Sequence, residues 1–316
     1  MEKKIIYLGP TEMFNAVVNY FGKVDNISVI QSDTISIETD LIDAFGVLDA
    51  SMKVKFDEVL LSKASNLKII SCATTGSDHV SKVILKENNI ELRTLREDMD
   101  LLRSLTPAAE LSWALLLACA RNLKGAFEHV RQGKWSRESF PGIMLNGKTL
   151  GIIGCGRIGK WMSKYALAFG MKVVGYDPYL DDFPDQIKKV GLEELFSNAD
   201  FISIHVHLST ETEGLVSKSL LDNCKPNVII INSSRGKIVD EDALLDSLMN
   251  KKIGAVGLDV LDGEPNIETN ILYLYSLSND NLIITPHCGG YSLEAVEKVC
   301  IRAAEKIIEK IKSGKY

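Results

Sequence analysis

The stretch Leu150-Gly151-Ile152-Ile153-Gly154-Cys155-Gly156-Arg157-Ile158-Gly159, followed by Lys172-Val173-Val174-Gly175-Tyr176-Asp177, decides how this chain is read. An apolar run leads into G-x-G-x-x-G, a helical pattern follows, and a second apolar run ends on an acid eighteen residues after the last glycine. Strand, glycine turn, helix, strand and acid stand in the order that a dinucleotide site requires. Gly154 can take the tight turn, Gly156 lets backbone approach a pyrophosphate, and Gly159 lets the helix lie close on the strand. Amides at the start of that helix then face the anion. Asp177 is placed to accept from ribose hydroxyls and to repel a 2′-phosphate, so the expected cofactor is NAD rather than NADP. Glycines also serve as plain turn and packing residues; the flanking strands, helix and acid separate the two readings.

Working outward, the 316 residues suffice for two domains. Apolar content of 46% and charged content of 25% are those of an ordinary soluble protein, and the net charge of −6 offers no attraction to nucleic acid or anionic membrane. Neither is expected as a partner. The apolar run at the start is too short for a signal peptide and reads as a first strand, and the longest apolar stretch, Trp113 to Ala120, is well short of a membrane span. Six scattered cysteines suggest neither a disulfide framework nor a zinc site, and point to a reducing, cytoplasmic compartment. Cys155, inside the glycine turn, and Cys288, after His287, could lie near a site, but read more simply as small space-filling residues. No metal is expected, because His79, His205 and His207 lack partners at ligand spacing.

Before the glycine motif, short apolar runs at Ile5–Leu8, Ser28–Ile30, Gly46–Leu48, Leu67–Cys72 and Ile90–Leu92 alternate with helical patterns. Such alternation implies a parallel sheet, since each parallel crossover needs room for a helix. A long helix is expected from Pro107 towards Arg131, with Thr106 as N-cap and proline in the first turn. It is apolar nearly all round in its first half, and so buried on more than one side. After the motif come about six strands in all, the count of a complete doubly wound domain. The last pattern, Leu293 to Lys312, is an amphipathic helix with no strand of its own, expected to pack back on the first domain.

Three polar residues follow late strands: Arg235 after Ile229–Asn232, Glu264 after Val256–Leu258, and His287 after Ile283–Pro286. Ligands of open parallel sheets bind outside the carboxyl ends of the strands. Arginine can grip a carboxylate or a polarised carbonyl with two hydrogen bonds. Histidine can take the proton of a hydroxyl as hydride leaves the same carbon. A glutamate beside it fixes the imidazole and stabilises its charged form. Singly, the three read as a turn arginine, a turn cap and a hydrogen-bonded histidine. Jointly they describe an oxidoreductase acting between a 2-hydroxy acid and a 2-oxo acid. The loop Ala73-Thr74-Thr75-Gly76-Ser77-Asp78-His79 could offer amides to a substrate carboxylate, or be a simple strand-to-helix turn.

These residues resemble the D-isomer-specific 2-hydroxyacid dehydrogenase family over nearly the whole chain. The resemblance is carried by Pro107-Ala108-Ala109-Glu110-Leu111, the glycine motif, and Asn232-Ser233-Ser234-Arg235-Gly236-Lys237-Ile238-Val239-Asp240. Leu258-Asp259-Val260-Leu261-Asp262-Gly263-Glu264-Pro265 and Thr285-Pro286-His287-Cys288-Gly289-Gly290 complete it. It implies an α/β fold of two doubly wound parallel-sheet domains, a Rossmann cofactor domain at residues 101–290 inserted into a discontinuous flavodoxin-like substrate domain at 1–100 and 291–316. It implies Arg235, Glu264 and His287 as the catalytic set. Arg157, Ile158, Asp177, Thr212, Ser234, Asp259 and Gly289 would line the NAD beside Gly154, Gly156 and Gly159. Thr75 and Gly76, with Arg235, would hold the substrate. A homodimer through the cofactor domain is also implied.

Among members the chain is similar to short 3-phosphoglycerate dehydrogenases, with two departures. Asp49-Ala50-Ser51-Met52 stands where an arginine often meets an anionic substrate. The mixed run from Arg93 to Arg103, read as a solvated loop or as an anion contact from a new direction, replaces a proline-and-glycine turn. Other readings of the same fold are a non-catalytic NAD(H)-sensing corepressor and a formate or phosphite dehydrogenase.

Overall fold

The computed structural model describes residues 2–184 and 186–315. They divide into two compact units, Met1–Leu105 with Tyr291–Tyr316, and Thr106–Gly290.

The first unit holds β1 (Lys3–Leu8), β2 (Ile27–Gln31), β3 (Gly46–Asp49), β4 (Ile69–Cys72) and β5 (Glu91–Arg93). All pair in parallel in the order β2-β1-β3-β4-β5, the doubly wound order of flavodoxin-like sheets. Alternate residues face opposite layers, because side chains on a strand alternate. Ile6, Leu8, Val47 and Ile70 join one core, while Ile5, Tyr7, Leu48 and Ile69 join the other. The second core is closed by Val296, Cys300, Ala303, Ala304 and Ile307 of the helix Leu293–Ser313. Leu95, Leu102 and Leu105 pack on Ala295 of the same helix, which keeps residues 101–105 with this unit rather than with the second.

The second unit holds β6 (Thr149–Ile153), β7 (Lys172–Tyr176), β8 (Lys188–Lys189), β9 (Phe201–Ile204), β10 (Val228–Asn232), β11 (Ile253–Leu258) and β12 (Leu282–Ile284). Their order is β12-β11-β10-β9-β6-β7-β8, all parallel, with the direction of winding reversing at β6. The two-residue β8 is one strand more than the sequence suggests. Along β10, Ile229 and Ile231 face the layer containing the helix Pro107–Ala120, and Ile230 faces the layer containing Glu241–Met249. Both faces are therefore covered, which explains the nearly unbroken apolar runs of these strands.

The helix expected to run from Pro107 to Arg131 is two helices, Pro107–Ala120 and Leu123–Arg131. Asn122 between them has φ +50, and its side-chain amide donates to the Pro141 carbonyl at 2.7 Å. A left-handed residue stops the helix, and asparagine tolerates that conformation better than most. Proline opens the first helix as expected, but Thr106 makes no side-chain cap bond. Among the described residues, no helix is long and apolar enough to cross a membrane.

Candidate functional site

The glycine turn follows β6 directly. Gly154 has φ +89, and a Cβ there would stand 2.5 Å from the His205 carbonyl oxygen; at Gly159 it would stand 2.3 Å from the Gly154 carbonyl oxygen. Both positions exclude any side chain. Gly156 differs, since a Cβ there meets nothing within 4 Å. It caps the helix Arg157–Ala168, whose first amides open onto that clear floor. An open backbone face above a helix N-terminus fits the pyrophosphate of a dinucleotide. Arg157 and Ile158 are half-buried beside it.

Asp177, one residue past β7, is fixed to the same turn. Its Oδ2 accepts from the Cys155 amide at 3.0 Å and its Oδ1 from the Tyr179 amide at 3.0 Å. The acid therefore stands beside the glycine turn with its orientation set by backbone. Across β6, the Ser234 hydroxyl donates to the Ile204 carbonyl at 2.7 Å, tying the end of β10 to the end of β9. The Thr212 hydroxyl donates to the His207 carbonyl at 2.6 Å and accepts from the Ser209 amide at 2.8 Å. It staples its own loop.

Arg235, Glu264 and His287 leave three adjacent strands at one edge, where Asn232 pairs with Leu258 and Leu258 with Ile284. Glu264 and His287 meet: Nδ1 of the imidazole lies 2.7 Å from Oε1, both side chains 29% exposed. With Nδ1–H donating to the carboxylate, Nε2 is the ring nitrogen left to exchange a proton. Arg235 stands on the neighbouring strand end, its carbonyl accepting from the Asn232 amide group at 2.9 Å.

His287 has φ +52, an uncommon conformation for a residue other than glycine. Asp259, 1% exposed, accounts for it. Its carboxylate accepts from the Thr285 hydroxyl at 2.6 Å, the Cys288 amide at 2.9 Å and the Gly289 amide at 2.7 Å. The histidine is thus clamped between two residues bonded to one buried acid, and Asp259 spends its oxygens on that loop. Cys288 is partly buried, and burial beside Asp259 pushes its thiol pKa up, which disfavours a thiolate.

In the first unit, the loop after β4 is held by the Thr74 hydroxyl donating to the Gly76 carbonyl at 2.7 Å. Among the described residues neither the Thr75 nor the Gly76 amide has a partner. Asp49, fully buried at the end of β3, accepts from the Ser51 and Met52 amides and lies 2.6 Å from His79 Nε2. Sequence reasoning missed this pair, although an acid ending a wholly apolar strand signals a buried partner. Cys72 brings a third donor within 4.8 Å of Asp49 and His79, but burial pushes its thiol up, and Asp49 is satisfied by its own loop and the imidazole.

The run Arg93–Arg103 is solvated at Arg93, Arg96, Glu97, Asp100 and Arg103, as expected, but it ends in a short helix, Met99–Arg103, and is anchored at Asp98. Asp98 in its middle accepts from Arg302 at 2.6 Å and pairs with the buried Lys306. Burial opposes ionisation of Asp98, but the bonds from Lys306 and Arg302 prevail and hold it below the usual carboxylate range. Arg93 pairs with Glu91, and Arg103 with Asp100.

Residues 113–289 match the model of the NAD-binding domain of D-isomer specific 2-hydroxyacid dehydrogenases. A hydroxypyruvate reductase of Thermotoga maritima is 37% identical over 84% of each chain. A D-3-phosphoglycerate dehydrogenase of Methanocaldococcus jannaschii is 38% identical over 83% of this chain, which spans 48% of that longer relative. The crystal structure of a D-lactate dehydrogenase from Aquifex aeolicus, complexed with NAD and lactic acid, superposes with a TM-score of 0.82. It is 28% identical and aligns over 98% of this chain and 96% of its own.

Proposed function

The chain belongs to the D-isomer-specific 2-hydroxyacid dehydrogenase family, an NAD-dependent oxidoreductase family, and we propose that it interconverts glycerate, or a related small D-2-hydroxy acid, and its 2-oxo acid. The observation that carries this is the bond between His287 and Glu264 at the strand edge that also carries Arg235. Bound NAD supplies the hydride acceptor. Arg235 grips the carboxylate and polarises the neighbouring carbonyl with its planar fork of donors. His287 takes the hydroxyl proton on Nε2, and Glu264 stabilises the imidazolium that results. In the first unit, the unpartnered amides of Thr75 and Gly76 are the groups offered to the substrate carboxylate. Ala50-Ser51-Met52 puts no arginine directly after β3, which supports an unphosphorylated substrate.

A homodimer through the cofactor unit accords with Phe127, Val130, Trp135 and Met144, which are exposed after the helix Pro107–Ala120; Trp135 is 91% exposed. Static light scattering at twice the mass of 34.9 kDa is the expected result.

The function is tested with NADH and a panel of glyoxylate, hydroxypyruvate, 3-phosphohydroxypyruvate, pyruvate and longer 2-oxo acids, read at the NADH absorbance. Hydroxypyruvate or glyoxylate is expected to turn over best. His287→Ala is expected to lose about 100-fold or more in kcat with NADH binding retained. Tight NADH binding with no turnover of any acid refutes the enzymatic reading.

A further inference from the structure

β7 and β9 flank β6 in the second sheet. Loops leaving their carboxyl ends therefore rise on either side of the glycine turn, about 10 Å apart at two strand spacings. The Tyr179 hydroxyl, from the loop after β7, donates to the Glu211 carboxylate, from the loop after β9, at 2.5 Å. The bond bridges the crevice where the winding of the sheet reverses, which is where ligands of such sheets bind.

Both ends of the bridge are braced. The Tyr179 amide is bonded to Asp177, and Asp177 to the glycine turn. Glu211 sits in the loop that Thr212 staples, and its own amide donates to the Ser209 hydroxyl at 3.3 Å. Among the described residues no cation pairs with Glu211, whereas Glu213, two residues on, lies 3.7 Å from Lys237. The hydrogen bond to Glu211, and then its charge, raise the Tyr179 phenol above its ordinary range, as expected for a hydroxyl held against an unneutralised carboxylate.

We propose that Glu211, held across the crevice by Tyr179, is a second determinant of the preference for NAD over NADP, acting beside Asp177. The proposal rests on the assignment of this crevice to NAD. Asp177 shares its charge with two backbone amides, while among the described residues the Glu211 carboxylate meets only a neutral phenol. A 2′-phosphate brings close to two further negative charges into the space between them. Tyr179 and Glu211 are both exposed, so the repulsion between these like charges is screened as it is in water and is felt most at low salt. Tyr179 is the positioning residue, because without its hydroxyl the exposed glutamate is free to turn towards solvent.

Equilibrium titration with NADH and NADPH, followed by nicotinamide fluorescence, gives the ratio of the two Kd values without reference to turnover. Glu211→Gln is expected to lower Kd(NADPH)/Kd(NADH) about five- to tenfold at low salt. Tyr179→Phe is expected to lower it in the same direction by a smaller factor, and Glu213→Gln to leave it within about twofold. An unchanged ratio in Glu211→Gln, or an equal fall in Glu213→Gln, overturns the proposal. Asp177→Asn separates the two levels: if it lowers the ratio while Glu211→Gln does not, the crevice still binds NAD and only the role of Glu211 falls. Failure of the wild-type protein to bind NADH overturns the assignment of the crevice itself.

Discussion

Alanine at two of the three motif glycines separates a packing role from a binding role. At Gly159 an added Cβ stands 2.3 Å from the Gly154 carbonyl oxygen and 3.0 Å from Ile152 Cγ2. Carbon and oxygen come no closer than about 3.3 Å in ordinary contacts, so the helix Arg157–Ala168 must retreat from β6 by roughly 1 Å. Overpacking of this kind costs about 1–3 kcal/mol. At Gly156 the same methyl meets nothing within 4 Å, so stability is expected to stay within about 1 kcal/mol of the wild type. That methyl, however, projects from the floor assigned to the pyrophosphate. Displacing the anion from one backbone amide forfeits a hydrogen bond to a charged group, about 1.5–3 kcal/mol, or about 10- to 150-fold in NADH affinity. Urea denaturation followed by circular dichroism, together with NADH titration, reads both quantities. Gly159→Ala is expected to lower the denaturation midpoint. Gly156→Ala is expected to keep the midpoint and lose NADH. A Gly156→Ala protein that binds NADH as the wild type does, or that loses as much stability as Gly159→Ala, refutes the assignment.

Two further outcomes follow from the polar network. Asp259→Asn must turn an N–H towards at least one of Thr285, Cys288 and Gly289, costing about 1.5–3 kcal/mol and freeing the loop that holds His287. A fall in kcat of about tenfold or more is expected, with a smaller fall for Thr285→Val; equal kcat in Asp259→Asn removes it as a positioning residue. Burial lowers the pKa of His205 to about 3, and its Nδ1 is buried without a partner among the described residues. An unfolded histidine titrates near 6.5, so below that pH the unfolded chain takes up a proton that the folded chain refuses. Stability is therefore lost as pH falls from about 6.5 towards 3, at about 1.4 kcal/mol per unit. His205→Gln is expected to lose about 2 kcal/mol less than the wild type between pH 7 and pH 5 in urea denaturation; the same loss in both proteins would contradict a buried neutral imidazole.

The sequence by itself determined what is written in local pattern. Glycine spacing, the acid after the second apolar run and the alternation of strands with helices require no distant partner, because turn, helix and strand preferences act over a few residues. That Arg235, Glu264 and His287 stand at one sheet edge was legible for a related reason, since they follow three apolar strands within three to six residues and parallel strands present their carboxyl ends at one edge. Only the tertiary structure decided which side chains meet. Asp98 reads as one acid in a mixed run until the helix Leu293–Ser313, two hundred residues on, brings Arg302 and Lys306 to it. Asn122 breaks a helix whose apolar pattern runs past it, because its side chain finds the Pro141 carbonyl. Asp259 clamps His287, and Asp49 meets His79, through bonds that local pattern cannot encode. Apolar burial depends on which face a residue lies on, which periodicity records. A buried polar group depends on one partner at hydrogen-bond distance, and that partner is fixed only when the whole chain has folded.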